Sequence, residues 1–106
     1  MNIHGPISEQ YRLVAKQWVE ADSAANMLEE CKSAVLAKMM AARGDMPVSK
    51  AEMQCKASDE WSDYVTKTVR AREAASLLKV KLEYTRMKFA EWQSAEASKR
   101  AEMRLV

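Results

Sequence analysis

Apolar side chains return along this chain at helical intervals, in two long series separated by a short break. From Ile7, alternating steps of four and three residues lead to Tyr11, Val14, Trp18, Ala21, Ala25, Leu28, Lys32, Val35, Met39 and Ala42, with Lys32 as the only polar member. Five heptads of that pattern predict a helix over 8–43 that packs on another helix in coiled-coil fashion. Lys32 then lies with its stem along the seam and its ammonium in water. The second series runs through Ala57, Trp61, Tyr64, Ala71, Ala75, Leu78, Leu82, Phe89 and Trp92, interrupted at Thr68 and Thr85. No Gly or Pro occurs between 49 and 103, so the pattern predicts one helix over that whole span, a rod of about 80 Å. A rod of that length cannot bury its own stripe.

Between the two series lies the most specific local signal. Gly44 stands where a helix C-terminus takes a left-handed residue, Arg43 suits the negative end of the helix dipole, and Pro47 prevents the first helix from running on. Ser49 and Glu52 match a capping box, and Val48 and Met53 occupy the positions of a hydrophobic staple. At the other end, Ser8 is the expected N-cap of the first helix, with Glu9 in its first turn. The fold class predicted is all-α: a long antiparallel two-helix hairpin, helix 8–43, turn 44–48 and helix 49–103, forming a single domain that dimerises into a helical bundle.

Placing Arg43 beside Ser49 sets the register. Ala21 and Ala25 then meet Ala71 and Ala75 in a narrow waist, and Glu20 and Asp22 face the region of Arg70 and Arg72. Trp18 falls beside Ala74 and Ala75, and Trp61 beside Cys31 and Leu28. Ser8 pairs near Tyr84, which leaves everything from Thr85 onward without a first helix beside it. That overhang carries Met87, Phe89 and Trp92 among Arg86, Lys88, Lys99, Arg100 and Arg104, and these eight residues are the expected partner-binding surface.

Composition narrows the chemistry. The chain has 106 residues with two Gly and two Pro, which suits long helices and one small domain. The formal charge is only +2, so there is no global signature of polyanion binding. Basic residues nonetheless cluster locally: Lys67, Arg70, Arg72, Lys79 and Lys81 are the candidate nucleic-acid contacts. Two cysteines, Cys31 and Cys55, match no metal or disulfide spacing and read as small buried hydrophobes in a reducing cytoplasm. His4 is the single histidine and stands in a terminal tail. Residues 1–6 lack the blocks of a signal peptide, and no apolar run reaches the ~20 residues of a membrane span. No phosphate loop, nucleophile–base set or ligand spacing is present, so no catalytic, cofactor-binding or metal residue, cofactor or small-molecule substrate is expected. The reading is non-enzymatic.

The stretches KAEMQCKASDEW and LLKVKLEYTRMKFAEWQSAEASKRAEMRL resemble a group of small helical proteins encoded by tailed bacteriophages, often among early replication and recombination genes. The resemblance spans 50–105 and rests on the Phe89 and Trp92 pair and the ending from Ser98 to Leu105. No catalytic or ligand residue comes with it. It implies a protein partner from host or phage in DNA metabolism or defence, whose activity the chain modulates as an inhibitor would. It also implies residence in the host cytoplasm. A nucleic-acid accessory working through the basic strip 67–88 is the alternative, and a structural scaffold component the third.

Overall fold

In the computed structural model the chain is almost wholly helical, and the structure describes residues 6–105. His4 and its tail lie outside that range. Four helices follow in order: α1 Ile7–Glu30, α2 Lys32–Ala41, α3 Val48–Lys56 and α4 Asp59–Leu105. Among the described residues there is no strand.

The first helical stretch is interrupted once, at Cys31. The Tyr64 hydroxyl donates to the Leu28 carbonyl, and a side chain entering the i→i−4 ladder opens it locally. The break is mild: the Cys31 N–H still reaches the Met27 carbonyl at 3.0 Å.

The single helix expected over 49–103 is instead two helices, α3 and α4, separated at Ala57 and Ser58. Ser58 is the reason. Its hydroxyl accepts the Trp61 N–H at 3.3 Å while donating to the Cys55 carbonyl, which ends one helix and caps the next. Asp59 and Glu60 then fill the first turn of α4, where acids favour the dipole.

The two expected caps are not made. Neither α1 nor α3 has a side-chain cap; each begins directly after a proline, Pro6 or Pro47, in polyproline geometry (φ −60°, ψ 152° and φ −54°, ψ 140°). The proline carbonyls accept the first helical hydrogen bonds, from Gln10 and Ala51 at 3.0 Å. Helices therefore start one residue before Ser8 and Ser49. Val48 and Met53 are both exposed, so no staple forms. Glu52 pairs instead with Lys56 at 2.8 Å. Gly44 does take the left-handed turn, at φ +80°. Nothing lies within 4 Å of where its Cβ would be, so backbone conformation and not space selects glycine.

The α1 helix runs beside α4 in the opposite direction: Leu28 meets Tyr64, Asp22 meets Arg72, and Ile7 lies with Phe89. Ala25 of α1 and Ala75 of α4 are buried in this seam, at 0% and 1% exposure. Thr68 and Thr85, which interrupt the stripe in sequence, donate their hydroxyls to the Tyr64 and Lys81 carbonyls one turn back, at 2.9 and 2.8 Å. Each hydroxyl is satisfied within its own helix, and Thr85 is buried at the seam.

The main core sits at the turn end. Met39, Cys55 and Trp61 are buried together, with Val35, Leu36, Met40, Tyr64 and Val65 packed around them. Trp61 thus packs among α2 and α3 side chains, with Tyr64, one turn further along α4, on Leu28. Lys32 Nζ stands 5.8 Å from the Trp61 ring centroid, a cation–π contact at an otherwise apolar seam position. Cys55 is fully buried, Cys31 partly so, and both are free thiols. The molecule measures 86 × 22 × 16 Å. Among the described residues no helix is long and apolar enough to cross a membrane.

Candidate functional site

The uncovered part of α4 begins later than the sequence arithmetic places it. Phe89 and Trp92 stack on one another at 5.9 Å between centroids. With Pro6, Ile7 and Ser8 they line an apolar hollow of about 270 Å³. Helical side chains lean toward the helix N-terminus, so these rings cover surface about a turn before their own Cα atoms. That lean brings them onto the start of α1. Phe89 is half-buried there and Trp92 remains 49% exposed. Residues from Thr85 to Trp92, expected to be free of the first helix, are therefore partly covered by it.

Beyond Trp92 the helix runs on with nothing beside it among the described residues. Over 93–105 every side chain except Glu96 is exposed, Met103 and Leu105 among them at 73% and 87%. This arm of about 20 Å carries Lys99, Arg100 and Arg104. The Arg100 guanidinium returns to the Glu96 carbonyl at 3.4 Å, and the other two project into solvent.

The expected apolar strip of Met87, Phe89 and Trp92 is divided. Residues two apart on a helix stand about 200° apart, and Met87, 63% exposed, faces away from the α1 side that half-buries Phe89. Lys88 turns back over the Tyr84 ring at 5.6 Å and reaches Glu91 at 4.0 Å. Arg86 shares a surface hollow with Tyr11, Trp18, Lys79, Leu82 and Glu83. Trp18 accordingly sits about a turn further along α4 than the expected Ala74 and Ala75.

The basic strip is divided as well. At about 100° per residue, Lys67, Arg70, Lys81 and Lys88 fall in one row and Arg72, Lys79 and Arg86 in another, well over 100° away. Arg72 is committed to the fold. Its Nη1 donates to Asp22 at 2.7 Å, its Nη2 to Asn26 at 2.6 Å, and its Nε to Glu29 at 3.1 Å. Hydrogen bonding to this guanidinium holds the Glu29 carboxyl below its ordinary value, and the carboxylates in turn raise Arg72. Two acids on α1 neutralise that cation, so it offers little to a phosphate. Lys67, Arg70, Lys79 and Lys81 are exposed, Lys81 beside a groove formed with Gln10, Leu13, Val14, Gln17 and Thr85.

Among the described residues no three His, Cys, Asp or Glu side chains gather as a metal site would require. The hollows along the rod are shallow and open. What the arrangement presents is surface: a stacked aromatic pair at the root of a cationic arm. Charge and register in the sequence place Asp22 opposite Arg72 but do not assign Asn26 and Glu29, although the i, i+4, i+7 spacing of the three is the signal that marks the full clamp. No protein-family model, curated protein or solved structure matches this chain.

Proposed function

We propose that the chain is a non-enzymatic interaction protein, an antiparallel helical hairpin that docks through its carboxy-terminal arm onto another protein. Following the phage resemblance, that partner is a host or phage protein of DNA metabolism or defence, whose activity docking modulates. One observation carries the reading. Among the described residues the arm over 93–105 has no neighbouring helix, yet an aromatic pair stands half-exposed at its root. A helix so placed suits helix-in-groove recognition, in which an apolar anchor gives affinity and flanking cations set orientation.

Two changes test it. Deleting 93–106 removes the arm and leaves the Trp61 core and the waist intact, so the rod should stay folded and lose the partner. Trp92→Ala should weaken binding by an order of magnitude or more, as truncation of an aromatic anchor does. A truncated chain that retained full partner binding would overturn the proposal.

A second reading has its own observation: the row of Lys67, Arg70 and Lys81 is exposed on α4. Phosphate tracking along that row would fall steeply with salt, and reversing Lys67, Arg70 and Lys81 to Glu would flatten the slope. Docking by Trp92 would depend on salt only weakly.

A further inference from the structure

The face of α4 turned away from α1 carries a second apolar row that nothing in the described chain covers. Val69, Leu77, Val80, Tyr84 and Met87 are 50% to 71% exposed. At about 100° per residue they share one 80° sector, roughly 170° around the helix from the seam with α1. Steps of three, four and three lead from Leu77 to Val80, Tyr84 and Met87, and a step of four leads back to Glu73. The row is close to a palindrome. About a midpoint between Leu77 and Val80, those two residues exchange, Glu73 falls on Tyr84, and Val69 falls beside Met87. Two-fold pairing requires a self-complementary row of this kind, whereas an unrelated partner does not.

We propose that a second copy of this chain packs antiparallel along this face, with Leu77 against the partner's Val80 about a two-fold axis. Charge selects the direction. A parallel pair would set Glu73 against the partner's Glu73, and Glu91 against the partner's Glu91, with like charges directly opposed. The antiparallel pair sets Glu73 beneath the partner's Tyr84, whose hydroxyl can donate to it, and between the partner's Lys81 and Lys88. Lys88 falls between the partner's Lys67 and the partner's Arg70, a like-charge approach that Glu91 tempers, because it lies beside the partner's Lys67 and already neighbours Lys88 at 4.0 Å. The shape agrees. The short side chain of Ser76 opens a shallow hollow of about 400 Å³, lined by Arg72, Glu73, Ser76 and Leu77, opposite the place where the partner's Val80 enters as a knob. This surface is separate from Phe89 and Trp92, so it stands or falls independently of the arm.

Sedimentation equilibrium of the full chain over a wide concentration range tests the proposal. A mass rising from one chain to two is expected, and Leu77→Asp with Val80→Asp should return the monomer with unchanged far-ultraviolet circular dichroism, because both side chains are exposed. Direction is read by linking thiols in a Cys31→Ala background, where the remaining Cys55 is buried. With a short bis-maleimide, Val80→Cys should link to itself across the axis. Met87→Cys should not, since antiparallel copies place the two thiols about 25 Å apart along the seam. A monomer at every concentration, a dimer that survives the double aspartate change, or efficient linking by Met87→Cys would each overturn it. Should the double variant lose its helicity, the thiol pair decides alone.

Discussion

Trp61 fills several roles in one side chain. It is 8% exposed, closes the core over Met39 and Cys55, stacks on Tyr64 at 5.8 Å and receives Lys32 on its face. Trp61→Ala should cost about 3–5 kcal/mol in urea unfolding, as deletion of a buried aromatic does. Arg72 gives the second residue-scale expectation. Glu29 has a depressed value in the folded chain, so the stability it contributes is fully present above the ordinary glutamate value near 4.3 and is lost as pH falls through the lower folded value. Glu9, lowered by Arg12, acts with the same sign. Glu29→Gln should therefore flatten the acid limb of a stability–pH curve and leave its neutral limb parallel to that of the parent chain. At this scale much was legible. The burial of Ala25 and Ala75 follows from the apolar stripe, and the Asp22–Arg72 contact from charge and register. The Tyr64 hydroxyl on Leu28 was not legible, because a phenol reaching a carbonyl in another helix depends on a rotation that no spacing encodes.

The helix–helix breaks show what sequence pattern can and cannot carry. A span without Gly or Pro invites reading as one helix, and propensity gives no reason to divide it. The signal was one of phase. Ala51 and Cys55 are buried together, and continuing at heptad intervals from Cys55 lands on Ser62, not on Trp61. That slip of one position, next to Ser58-Asp59-Glu60, marks a new helix start. The first apolar position of the second series, Ala57, is exposed for the same reason. Ser58→Ala should cost about 1 kcal/mol, the usual worth of an N-cap, and the loss should appear in chemical denaturation without a change in helical content. Conversely, Ser8 and Ser49 illustrate a false positive: serine near a helix start is a cap only where the preceding residue does not already supply the entry geometry, and here Pro6 and Pro47 do.

As a whole the molecule is a rod 86 Å long with its core at one end. Toward the other end, the buried side chains thin out to the small Ala25 and Ala75, then to Val14 and Thr85, and finally to the hollow under Phe89 and Trp92. Local stability should follow that gradient. Hydrogen exchange read by mass spectrometry should find amides around Trp61 slowest, those over 75–89 intermediate, and those over 93–105 fastest in the monomer. Uniform protection along α4 would mean that the thin seam contributes as much as the core. The extended architecture was legible from two long periodic series and one turn. The reach of α1 was not, because the lean of two aromatic rings shifted the contact by a turn. The division of the basic strip and of Met87 from Phe89 follows from the helical wheel once α1 occupies one side.

The turn-end position of the core has a mechanical consequence. A pull applied between Pro6 and Leu105 loads the two helices at the open end of the rod, so they would part like a zipper and not slide in shear. Separation would begin at the Phe89–Trp92 stack, pass the Arg72 clamp midway, and meet its greatest resistance last, at Trp61. The arm would thus transmit tension along the seam while the turn stayed closed, and a partner gripping it could peel α1 away by degrees. A chain with its core at the centre would hold until it failed all at once; this one yields from the end at which it would be held.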